Sequence, residues 1–161
     1  MEFQTLTSEQ FQRMCPYLIH FFKNQGEKRI TYQSLRWLHN QQNTGYELGT
    51  IATVALAQKR LAGALVLGRY GIEESLLAVH STYRNQEIAE TLLLQAKEEL
   101  GKLYGRIECD NSASLKACFN AGLMAFRLIQ GTTGKPTLWL AGGDWSEEEL
   151  DHYLDENSLP L

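Results

Sequence analysis

Apolar residues in the first third of the chain keep helical spacing. A short alternating stretch at Phe3 and Thr5 gives way to Thr7-Ser8-Glu9-Gln10, which reads as a capping box in which a hydroxyl and a Gln three residues on satisfy each other's exposed amides. Phe11, Met14, Leu18 and Phe21 or Phe22 then share one face, and Pro16, lacking a backbone donor, is set to kink or split the helix. Thr31 opens a second helix with Tyr32, Leu35 and Leu38 on one side, ended by Gln41-Gln42-Asn43-Thr44-Gly45. Between 48 and 80 the pattern changes to long runs of Val, Leu, Ala and Ile. Two breaks, Gln58-Lys59-Arg60 and Tyr70-Gly71-Ile72-Glu73-Glu74, cut it into about three strands of an antiparallel meander.

Helical spacing returns at Ile88, Leu92, Ala96, Leu100 and Leu103, which predicts an amphipathic helix over 86–103. Ile107 and Cys109 alternate with Arg106, Glu108 and Asp110 as a short strand, and a right-handed crossover sets it parallel to the strand before the helix. A helix over 112–121 closed by Gly122 follows, then strands over 123–130 and 137–141 joined by a tip with Gly131, Gly134 and Pro136. An acidic helix over 146–156, apolar only at Leu150, Tyr153 and Leu154, ends the pattern. A chain of 161 residues buries one core without splitting, so 1–161 is expected to form a single α/β domain.

Composition mainly excludes. No apolar run approaches the roughly 20 residues that span a bilayer, and the first residues carry neither a basic nor an apolar leader region, so a cytoplasmic protein with no membrane partner is expected. A net charge of −4, with no stripe of Lys and Arg, argues against nucleic acid. Cys15, Cys109 and Cys118 are too widely spaced for a disulfide framework or a thiolate zinc site, and His20, His39 and His152 have no ligand-spaced partners, so no metal is expected. No phosphate-cradling Gly-x-x-x-x-Gly-Lys or dinucleotide Gly-x-Gly-x-x-Gly follows a strand.

Two segments carry chemistry. In Val79-His80-Ser81-Thr82-Tyr83-Arg84-Asn85-Gln86-Glu87-Ile88-Ala89 a strand turns into a helix, directing free amides and the positive end of a helix dipole at one point, which is an anion site. The second is Asn111-Ser112-Ala113-Ser114-Leu115-Lys116-Ala117-Cys118-Phe119-Asn120-Ala121-Gly122-Leu123, a polar cap and a short helix closed by glycine. The element order and these segments resemble the GNAT superfamily of N-acetyltransferases. Its signature has an aromatic before Arg and then Arg-x-x-Gly-x-Gly/Ala opening a helix, and a later Asn-x-x-Ala/Ser approaches the pantetheine arm.

The resemblance implies a mixed central sheet of about seven strands flanked by helices, with a splayed parallel pair holding acetyl-CoA as acyl donor. It implies transfer of the acyl group to a primary amine of a small molecule or peptide, with the cofactor held by Leu77, Val79, Arg84, Asn85, Gln86, Glu87, Ile88, Ala89, Asn111 and Ser114. An amine attacks only when deprotonated. Glu73 and Glu74 precede the strand of Val79, and strand parity with Ser75, Leu77 and Val79 favours Glu73 as base. Cys118 stands where many members carry the Tyr that protonates the leaving thiolate. Glu87 stands where the family has Gly, and a carboxylate about 4 Å from a phosphate charge would cost about 4 kcal/mol at an effective dielectric near 20.

Plainer readings stand beside these: Asn111 as an N-cap, Cys118 as a small buried hydrophobe, His80 as structural, Glu73 and Glu74 as solvated. Glu87 also motivates an alternative function, a GNAT-fold non-catalytic CoA-binding, sensor or interaction module. The two N-terminal helices, with Tyr32 and Trp37 as an aromatic wall, and the loop 130–136 are expected to set the acceptor. Oligomeric state is open, a homodimer included.

Overall fold

The computed structural model describes residues 1–84, 87–131 and 134–156. β1 (Glu2–Thr5) leads into α1 (Ser8–Gln25), whose capping box forms as the sequence requires: Gln10 N donates to Thr7 Oγ1 at 3.2 Å and Thr7 N to Gln10 Oε1 at 2.8 Å. The helix runs past Pro16 without splitting. The lost backbone bond is outweighed by a face of Phe11, Cys15, Leu18, Phe21 and Phe22, all buried, each large apolar side chain worth about 1.5–3 kcal/mol. α2 (Tyr32–Thr44) is capped by Thr31 and packs beside α1.

β2 (Ile51–Ala57), β3 (Arg60–Gly68) and β4 (Glu74–Val79) form the expected meander, with β1 on its outer edge. Covered on both faces, β2 and β3 lack polar alternation: Ala52, Val54, Ala64 and Val66 pack under α1 and α2, while Leu65 and Leu67 pack under α3 (Ile88–Leu100). α3 ends three residues earlier than its apolar spacing predicts, because Gly101 takes a left-handed C-cap at φ 82. Leu103 keeps its burial by entering β5 (Lys102–Glu108) instead. α4 (Ser112–Asn120), β6 (Met124–Gln130), β7 (Pro136–Gly143) and α5 (Glu147–Glu156) complete the described chain. None of its helices is long and apolar enough to cross a membrane.

The expected single mixed sheet is corrected. Seven strands are present among the described residues, but in two antiparallel sheets ordered β1-β2-β3-β4 and β5-β7-β6, with no ladder between β4 and β5. The two sheets meet where the turn between β3 and β4 crosses β5. There Gly71, at φ 93, lies against the backbone of Tyr104, so closely that a Cβ would collide with the Tyr104 carbonyl. Tyr104 is itself immobilised: its hydroxyl donates to Ser146 O at 2.9 Å and accepts from Ser146 N at 3.0 Å. Gly71→Ala should therefore destabilise the protein by about 2–5 kcal/mol, summing left-handed strain and overpacking, as measured by denaturant unfolding.

Candidate active site

β4 has a ladder partner on one side only. His80 N donates to Ala62 O at 2.8 Å, continuing the register in which Val79 faces Gly63 and Leu77 faces Leu65. In an antiparallel ladder hydrogen-bonded and non-hydrogen-bonded residues alternate, so the amides of Ser75, Leu77 and Val79 turn away from β3. They face the gap toward β5. Into that gap opens a cleft of about 110 Å³, lined by Ser75 and Leu77, by Gly105 and Ile107, and by Asn111, Ser114 and Cys118 of α4. That volume is well below the roughly 300–1,000 Å³ of a pocket enclosing a drug-sized ligand, so it suits a narrow chain.

Four of the sequence-derived residues, Leu77, Asn111, Ser114 and Cys118, thus share one cleft. Asn111 is also the N-cap of α4, its Oδ1 accepting from Ser114 N at 3.3 Å, so the plainer role is present as well. Cys118 is buried, and burial pushes its thiol up to about 12. A thiol so raised holds its proton and is a poor acid; its place in the wall is that of a small apolar side chain.

The turn expected to take an anion follows Val79. Asn85 and Gln86 lie outside the described residues. Arg84 Nε donates to Val79 O at 3.3 Å, Nη2 to Gln25 O at 3.4 Å, and Nη1 pairs with Glu27 at 2.6 Å, which ties the turn to the end of α1. Ile88 is buried against Gly63, where a Cβ would stand 2.7 Å from Ile88 Cγ2, and Ala89 is half-buried behind it. Glu87 is exposed and caps α3 in the left-handed conformation, φ 59 and ψ 20, with no side-chain cap bond. That conformation explains why glycine suits the position, since a side chain there costs about 1–2 kcal/mol. His80 Nδ1 accepts from Thr82 N at 3.1 Å, the structural role.

The carboxylates stand at the opposite end of β4 and separate there. Strand parity does not reach Glu73, which precedes the first residue of β4; its exposed carboxylate accepts from Trp37 Nε1 at 2.6 Å and meets the Tyr153 hydroxyl of α5. The expectation that Glu73 faces the cleft with Ser75 and Leu77 is corrected for that reason. Glu74 is half-buried and accepts from Ser34 Oγ at 2.7 Å. Burial pushes its carboxyl above the usual range, opposed by the Ser34 hydrogen bond and by the positive charge of Arg106. Ser34, Arg106 and Tyr153 carried no motif in the sequence. Trp37 carried only its aromatic side chain, and it lies over Gly68, where any Cβ would strike its ring.

At the wide end of the gap the α1–α2 connection crosses from one sheet to the other. Arg29 Nη1 donates to Glu108 at 3.1 Å and Asp110 at 2.8 Å, and Lys135 Nζ reaches Asp110 at 3.3 Å. Arg29, then Lys135, hold the Asp110 carboxyl below its usual range.

No protein-family model matches the sequence, and no curated protein matches it by sequence. Solved structures do match in shape. A GNAT-family acetyltransferase from Bacillus cereus superimposes with a TM-score of 0.66 at 12% identity, covering 91% of this chain and 100% of that one. The chain has the fold of the GNAT acetyltransferases. An aminoglycoside 6'-N-acetyltransferase complexed with coenzyme A gives 0.65 at 14% identity over 91% and 98%. AAC(6')-Ib in complex with paromomycin and acetyl-CoA gives 0.61 at 9% identity over 97% and 98%.

Within the GNAT fold the left-handed residue opening α3 is the departure that stability measurements can isolate. Glu87→Gly relieves about 1–2 kcal/mol of strain and adds about 0.5–1 kcal/mol of chain entropy, whereas Glu87→Ala keeps the strain. Glu87→Gly should unfold at higher denaturant than Glu87→Ala, and no lower than the parent.

Proposed function

We propose that the protein is an acetyl-CoA-dependent N-acetyltransferase acting on a primary amine of a small molecule or peptide, built as the single domain 1–161. The observation that carries this reading is the unpaired edge of β4, where the Leu77 and Val79 amides turn away from β3 and Leu77 lines a narrow cleft with Asn111 and Ser114. A pantetheine arm laid along that edge takes the place of a missing strand. An amide there donates to the thioester carbonyl as charge develops on its oxygen in attack. The pyrophosphate is assigned to the turn of Arg84, Asn85, Gln86, Glu87, Ile88 and Ala89, where the α3 amides and the helix dipole are available. The solved neighbours of the same fold bound to coenzyme A or acetyl-CoA support the choice of donor.

Glu74 is the better base, with Glu73 an electrostatic neighbour. A base must be near its own pKa at working pH, and burial moves Glu74 in that direction while Glu73 stays exposed. The amine loses a proton to Glu74, its nitrogen forms the new bond to the acyl carbon, the carbon–sulfur bond breaks, and the cofactor thiolate leaves. Cys118 at about 12 is not assigned the return of a proton to that thiolate; solvent supplies it. The alternative, a GNAT-fold sensor without catalysis, draws on the Arg84–Glu27 pair, which occupies a guanidinium the cofactor would use.

Acetyl-CoA binding tests the donor, and turnover separates the two. At about 100 times its dissociation constant acetyl-CoA should raise stability by about 2.7 kcal/mol, read as a thermal shift and as heat of binding. No shift and no heat with acetyl-CoA or coenzyme A sinks the transferase. With an acceptor found by screening for free thiol release, Glu74→Gln should lower kcat by about 100-fold or more, the usual contribution of a general base, and Glu73→Gln by less than about tenfold.

A further inference from the structure

The base assigned above is held from the acceptor side by a pair of hydroxyls at the start of α2. Thr31, the N-cap, accepts from Ser34 N at 3.1 Å, and its own hydroxyl donates to Ser34 Oγ at 3.1 Å. With that lone pair engaged, the Ser34 proton is directed outward. It is donated to Glu74 Oε1 at 2.7 Å, across the junction of α2 and β4. Ser34 is the third residue of α2, inside the first turn, so the carboxylate also faces the positive end of that helix. A lone N-cap would need only Thr31 and a backbone amide. The second hydroxyl has no capping duty, and its partner lies 40 residues away.

We propose that Ser34, oriented by Thr31, is the positioning residue of the acceptor-side base, holding Glu74 in the rotamer that receives the proton of the acceptor amine. This rests on the transferase reading. Two conditions make a tether necessary. Glu74 begins β4 at the narrow end of the gap, where no neighbouring strand of the second sheet pairs with it. The charged groups around it also pull in different directions: Glu73 beside it raises its carboxyl, while Arg106 from β5 and the backbone of Ser75 lower it. Tyr153 and Arg69 act on this group through Glu73 and Tyr153 rather than on Glu74 itself. Among these, the Ser34 hydroxyl fixes both direction and distance, as a hydrogen bond does and a diffuse charge does not.

The test uses the full chain and reads the carboxyl directly. The side-chain carboxyl carbon resonance of Glu74, assigned by its loss in Glu74→Gln, is titrated in the parent, in Ser34→Ala and in Ser34→Thr. A hydrogen bond to the ionised form favours ionisation, so Ser34→Ala should move the Glu74 midpoint to higher pH and Ser34→Thr should return it. With an acceptor in hand, Ser34→Ala should lower kcat about tenfold with KM little changed, and move the acid limb of the turnover profile upward with the midpoint. Ser34→Thr should recover both. A midpoint that does not move in Ser34→Ala, or that Ser34→Thr does not restore, overturns the proposal. Acetyl-CoA binding, measured on the same samples, tests the reading beneath it, so the two failures are distinguishable.

Discussion

The organisation of the molecule follows from one unmade ladder. β4 and β5 lie side by side without hydrogen bonds, and the chain must hold two sheets together without that pairing. At one end Gly71 brings backbone onto backbone against Tyr104, a contact no other residue type permits. At the other, Arg29 spans the gap to Glu108 and Asp110. The Arg29–Asp110 pair is exposed on its carboxylate side, where such pairs are worth roughly 0–1 kcal/mol, so the wide end is held by side chains and the narrow one by packed backbone. A gap closed firmly at one end and loosely at the other is a V, and the free amides of Leu77 and Val79 lie along its arm. Leu77 and Val79 are half-buried at this edge, so their amides stay accessible from the cleft side.

Most of the elements were legible because their signals are local. The capping box at Thr7, the breaks at Gln58-Lys59-Arg60 and the helical spacing from Ile88 depend on residues within a few positions of one another. The errors arose where local signals conflict with distant contacts. Leu103 continues the period of α3, and only the left-handed Gly101 puts it in β5; Pro16 opposes a helix that tertiary burial sustains. The division into two sheets could not be read from pattern at all, since it depends on Gly71 meeting a residue 33 positions away. The cleft was half legible. Asn111, Ser114 and Cys118 came from the second motif segment and Leu77 from the family resemblance, but Ser34 looks like an ordinary first-turn serine until its hydroxyl is seen on Glu74.

Adjacent carboxylates at Glu73 and Glu74 illustrate how little sequence says about environment. One residue of displacement along the chain puts Glu73 in solvent, bonded by Trp37, and Glu74 under α2, bonded by Ser34. Burial under α2 raises the Glu74 carboxyl, and the neighbouring charge of Glu73 adds to that in a smaller way.

The turn before α3 reverses an argument that sequence alone makes persuasive. A carboxylate 4 Å from a phosphate in a partly buried site would oppose binding by about 4 kcal/mol, but the same pair in water interacts by about 1 kcal/mol. Glu87 is exposed, so the electrostatic conflict belongs to the second case. Its backbone carries the larger cost, about 1–2 kcal/mol of left-handed strain that burial of Ile88 against Gly63 can sustain. Arg84 is likewise engaged rather than lost: its partner Glu27 is half-exposed, and an exposed pair of this kind is worth at most about 1 kcal/mol. In the proposed cofactor complex, a phosphate offering charge-assisted bonds of about 1.5–3 kcal/mol each would outcompete that pair. On that proposal the departure from glycine weighs on the stability of the turn more than on the binding of the pyrophosphate.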